Sequence, residues 1–87
     1  MNQEYVISFS SFYKAAYAED MLEEAGISST LKKLPTELVR SCSTGLYLRT
    51  DDILQVRRVL SARQITPGGI FRIQRGTDGE KVYVKIR

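Results

Sequence analysis

The 87-residue sequence contains no histidine and a single cysteine, Cys42. Without histidine it lacks the usual partner of a serine or cysteine nucleophile, which argues against a triad hydrolase contained in this chain. One cysteine cannot close an internal disulfide, and the missing Cys/His cluster excludes a self-sufficient zinc site. No metal and no cofactor are therefore expected. Long apolar runs are also missing. The first apolar stretch, Tyr5 to Phe9, is too short for a signal core or a membrane span, and Met1-Asn2-Gln3-Glu4 carries no basic residues ahead of it. A cytoplasmic location without membrane contact is the expectation. There is no repeat, linker or low-complexity segment, and 87 residues at 43% hydrophobic content support one compact core, so residues 1–87 read as a single domain.

The net charge of +3 is unevenly distributed. Residues 1–26 set Lys14 against Glu4, Glu19, Asp20, Glu23 and Glu24, whereas the remainder is basic. An anionic partner or an acidic protein face would complement that remainder, although a solvated surface is the commoner origin of such asymmetry.

Tyr5-Val6-Ile7-Ser8-Phe9 has strand composition and runs into Ser10-Ser11, good caps for a following helix. Phe12, Ala15, Ala18, Leu22 and Ala25 recur at three- and four-residue steps and predict its buried stripe; Gly26 supplies a left-handed stop. Ser29 to Leu34 reads as a second strand ended by Pro35, and Gly45 to Arg49 as a third. Thr50 is expected to cap a second helix with Asp51 and Asp52 in its first turn and Ile53, Val56, Val59 and Leu60 inward, before a break at Pro67-Gly68-Gly69. Ile70 to Gln74, the turn around Gly76-Thr77-Asp78-Gly79, and the alternating Val82, Val84 and Ile86 form a hairpin. The fold class is therefore α+β. The first six elements follow the ferredoxin-like split βαβ order (βαββαβ), with an extra C-terminal strand and two helices on one antiparallel sheet.

The segment from Pro35 to Gly45 is long for a connection between neighbouring strands, which favours a functional role. Arg40 stands close enough in sequence to stabilise a thiolate at Cys42, and the hydroxyls of Ser41, Ser43 and Thr44 could hydrogen-bond to the sulfur. The other reading makes Cys42 a small packed hydrophobe.

Ser8-Phe9-Ser10-Ser11 before an alanine-rich helix with Glu19, Leu22 and Gly26-Ile27, followed by Leu34-Pro35-x-Glu37 and Cys42, resembles a family of small bacterial domains described as selenium- or sulfur-carrier-like. The resemblance covers roughly residues 4 to 65 and includes the seven-residue step from Pro35 to Cys42. It implies that Cys42 accepts sulfur or selenium, as a persulfide or selenosulfide, from a donor protein and passes it to an acceptor enzyme. The chain would then be a carrier and co-substrate more than an enzyme. This sequence departs from the family pattern where Ser43-Thr44 separate the cysteine from Gly45.

Basic residues near the cysteine, Arg40 and Arg49, would dock an acidic partner. The alternative is a non-catalytic binding or regulatory domain with an incidental cysteine. RNA recognition through Tyr5, Phe9 and Tyr47 is the weaker form of it, because Gly45-Leu46-Tyr47-Leu48 lacks the aromatic pair and basic lead of the usual motif. A protein partner fits better. The edge of the C-terminal hairpin leaves homodimerisation open, and Lys81, Lys85 and Arg87 read equally as its guards.

Overall fold

The computed structural model describes residues 2–35, 38 and 44–86. They form β1 (Gln3–Ser8), α1 (Phe12–Glu24), β2 (Thr30–Lys33), β3 (Thr44–Thr50), α2 (Ile53–Ala62), β4 (Gly69–Arg75) and β5 (Lys81–Ile86). All strand pairings are antiparallel, and the order across the sheet is β2-β3-β1-β4-β5. The first four strands reproduce the ferredoxin-like arrangement, with β5 added outside β4. β1 is central because its residues satisfy two ladders at once. Ser8, for example, lies opposite both Gly45 and Gly69.

Period-two alternation divides the sheet into two faces. Tyr5, Ile7, Leu46, Leu48 and Ile70 join Ala15, Ala18, Met21 and Leu22 of α1 and Val56 and Leu60 of α2 in the main core. Fully burying a side chain such as Ile7 or Leu22 contributes roughly 1.5–3 kcal/mol each. The small Ala15 and Ala18, both 0% exposed, bring the α1 backbone close to its neighbours. On the other face Val6, Leu34 and Ile73 form a second cluster, flanked by Leu38, Tyr47, Phe71 and Tyr83.

Ser11 caps α1 as expected, its Oγ accepting from Lys14 N–H at 3.2 Å. The helix closes in a Schellman motif, with Ile27 N–H donating to Leu22 O and Gly26 N–H to Glu23 O; Gly26 has φ +83°. Phe12, placed in the buried stripe by periodicity, is instead 56% exposed at the first position of the helix. Met21 is buried in the stripe, while Ala25, the C-cap, is exposed. Thr50 does not cap α2. It stays paired with Gln3 in the β1–β3 ladder, so the chain leaves the strand at Asp51 and Asp52 becomes the N-cap, accepting from Gln55 N–H at 3.3 Å. Thr50 Oγ1 accepts from Asp52 N–H at 3.0 Å, and the two aspartates precede the first turn. The second helix also ends in a Schellman motif, Ile65 N–H to Leu60 O and Gln64 N–H to Ser61 O, with Gln64 at φ 60° where glycine is usual.

Candidate functional site

The segment joining β2 to β3 is tied to the sheet at both ends. Pro35 has no N–H to continue a ladder, so β2 stops just before Leu34. Leu34, 6% exposed, folds over the face away from the helices, and Leu38 N–H donates to Pro35 O at 3.0 Å, closing a turn that brings Leu38 to the same cluster. Val6, directly opposite Tyr47 and Phe71 on the neighbouring strands, is thereby 0% exposed on that face. The seat for Leu34 is Gly45. A Cβ there would overlap Leu34 Cδ2 and lie 2.6 Å from the Ile7 carbonyl oxygen.

Of the residues singled out from the sequence, Arg40, Ser41, Cys42 and Ser43 lie outside the described residues. Thr44 is the first residue of β3, half-buried and opposite Lys33. Arg49 is five positions further along β3, about 17 Å away at 3.4 Å per residue. Its Nη2 lies 3.5 Å from Glu4 Oε1. There Arg49 borders a shallow cleft of about 270 Å³ shared with Ser29, Thr30, Lys32 and Tyr47. Thr44 and Arg49 therefore belong to opposite ends of the sheet.

The Thr44 end carries features that periodicity concealed. Ser8 and Gly45 are paired there, and α1 begins four residues after Ser8, so its first turn lies at the same end. Phe12 and Tyr13 are 56% and 83% exposed, and their rings meet edge to face at 6.0 Å. Exposed Lys14 and Lys33 accompany them. Such paired aromatics on a small surface are typical anchors for a protein partner. No sequence signal marks Tyr13, because a helix-period stripe reports only the inward face.

The aromatic set proposed for RNA stacking does not assemble. Tyr5 and Phe9 are 7% and 5% exposed within the main core. Tyr47 alone lies on the other face, where its hydroxyl donates to Lys33 O at 2.8 Å and Lys32 Nζ sits 5.0 Å from the ring centre. Among the described residues no group of three or more His, Cys, Asp or Glu could hold a metal ion, and no helix is long and apolar enough to cross a membrane.

Residues 4–72 match the model of a protein family described as "putative Se/S carrier protein-like". No curated protein and no solved structure matches the chain.

Proposed function

Because the chain belongs to the Se/S carrier protein-like family, we propose that it carries sulfur or selenium on Cys42. The supporting observation is that the family match, residues 4–72, spans the whole β2–β3 connection, which holds the only cysteine. The Cys42 thiolate attacks the outer sulfur of a donor protein's persulfide. A new sulfur–sulfur bond forms on Cys42, the donor's sulfur–sulfur bond breaks, and the donor leaves as a thiolate. Selenium delivered in the same way gives a selenosulfide. An acceptor nucleophile then takes the outer atom and releases the Cys42 thiolate. Net oxidation state is conserved, so no resident cofactor is required and the chain acts as a co-substrate.

Arg40 favours the thiolate by its charge, and Ser41, Ser43 and Thr44 supply hydrogen bonds. Arg49, ion-paired with Glu4, is left out of this environment. Phe12 and Tyr13 are the better docking residues, since they share the Thr44 end of the sheet. The donor and acceptor are proteins met in the cytoplasm.

The test is transfer of labelled sulfur from a persulfide-loaded desulfurase to the purified protein, read by intact mass. Wild type gains the mass of one sulfur atom, reversible by dithiothreitol, and Cys42→Ser gains none. Equal loading of both proteins would overturn the reading. The exposed Phe12, Tyr13 and Tyr17 favour a second reading, a protein-binding domain whose cysteine is incidental. Under that reading wild-type Cys42 stays unlabelled by donor and alkylates no faster in the native protein than in the denatured chain.

A further inference from the structure

The outward face of α1 changes chemistry along its length. Residues 13, 17, 20 and 24 follow one another at four- and three-residue steps, and 12, 16, 19 and 23 run beside them, so the two rows form one surface. Phe12, Tyr13 and Tyr17, the last 48% exposed, occupy its N-terminal half. Glu19, Asp20, Glu23 and Glu24 occupy its C-terminal half. Among the described residues an ion pair reaches only Glu24 of these four, from Arg63 of α2 at 3.4 Å.

Neither half stabilises the helix. Its C-terminal end is the negative end of the dipole, where cations are favoured and carboxylates repelled, yet the last turn carries no basic residue. Like charges three and four positions apart, Asp20 with Glu23 and with Glu24, add their own repulsion. Rings left in water contribute little burial to the fold. Departures from local rules without a gain in the fold are expected where a surface serves function. Tyr17, Asp20, Met21, Glu23 and Glu24 also border a shallow depression of about 580 Å³. One ring, one thioether side chain and three carboxylates suit an arginine, whose guanidinium stacks on an aromatic face while its N–H groups donate to carboxylates.

We propose that this face of α1 docks the protein that donates sulfur to Cys42, through a cationic patch on the donor whose arginine enters the depression while apolar side chains cover Phe12 and Tyr13. The proposal rests on the carrier reading above. The rings stand in the first turn, at the Thr44 end of the sheet, and Thr44 follows Cys42 by two residues. The carboxylates lie toward the other end of the helix. Tyr13 and Glu23 are ten residues apart, about 15 Å at 1.5 Å per residue. The face thus gives the donor one direction along α1, with its apolar contacts toward the Thr44 end and its cations away from it. The same charge match steers the encounter and weakens as salt rises.

The experiment measures the rate of sulfur transfer from a persulfide-loaded desulfurase against the concentration of the full chain, read by intact mass. The double variant Asp20→Lys/Glu23→Lys raises the half-saturating concentration by about tenfold and flattens its dependence on salt, and Tyr17→Ala raises it several-fold. Both keep native circular dichroism, and the lysine variant melts no lower than wild type, because cations suit the negative end of a helix. Greater stability with weaker transfer is an outcome that a merely structural role does not give. Asp78→Lys/Glu80→Lys, the same change of net charge at the hairpin turn, leaves the curve in place; an equal shift there would assign the effect to net charge and overturn the proposal. Failure of the carrier reading shows separately, in wild type: no transfer, or equal loading of Cys42→Ser, ends that reading and the docking with it. Transfer by wild type with variant curves that superimpose on it overturns the docking alone. A wild-type dimer at the assay concentrations that the lysine variant dissolves, seen by sedimentation velocity, would give the face to a second copy and likewise overturn it.

Discussion

Gln64 adopts φ 60° at the end of α2, a conformation that costs a side-chain-bearing residue roughly 1–2 kcal/mol. Replacement by glycine relieves that strain but increases the freedom of the unfolded chain. The expected outcome for Gln64→Gly is a net gain of about 0.5–1 kcal/mol in urea unfolding. Gly45 is the opposite case. A methyl group there meets both Leu34 and the Ile7 carbonyl, so Gly45→Ala is expected to lower stability by about 1–3 kcal/mol. Combining it with Leu34→Ala removes one of the two clashes, and the double variant should lose less than the sum of the single losses. Neither residue declared its role in the sequence. Gly45 read as a strand start, and a glutamine carries no hint of a left-handed backbone until the Leu60–Ile65 hydrogen bond is seen. Cys42 was singled out on other grounds, as the sole thiol in a chain with no histidine, and it lies outside the described residues.

The elements themselves were largely readable, because the strand–helix punctuation is strong. Ser11 before α1, Gly26 after it and the hairpin turn at residues 76–79 stand where local chemistry puts them. The misplacement at α2 has a tertiary origin. Thr50 is a competent cap, but pairing with Gln3 holds it in β3 and hands the role to Asp52. Asp52→Ala is therefore expected to cost about 1 kcal/mol in thermal or urea unfolding, and Thr50→Val less, since it removes only the bond to Asp52 N–H. The segment from Pro35 was read only as a long connection, yet Leu38 packs on the second cluster beside Leu34, the last residue of the expected strand. Two leucines four apart in a turn do not announce a hydrophobic face. Leu34→Ala is expected to lose about 2–3 kcal/mol, near the low end for buried leucine because the cluster is small. Arg49 illustrates the complementary limit: closeness along an extended strand is not closeness in space.

At the scale of the molecule, the order β2-β3-β1-β4-β5 sets the β2–β3 connection at one margin of the sheet and β5 at the other. The ion pairs contribute little to the fold. Glu4–Arg49, Asp52–Arg58 and Glu24–Arg63 are separated by 3.5, 3.7 and 3.4 Å, and all are substantially exposed. Raising salt should therefore shift the unfolding midpoint only slightly, and a large shift would show that charge contributes more than these exposed pairs account for. The central place of β1 has a further consequence, for synthesis. Among the described residues its ladder partners are β3 and β4, and Thr50 follows Ser8 by 42 residues. At about 5–20 residues per second the nascent Tyr5-Val6-Ile7 strand waits roughly 2–8 s on the ribosome before any ladder can shelter it. A strand made before both of its partners, and the most buried of the sheet once folded, is thus the one left longest uncovered during synthesis.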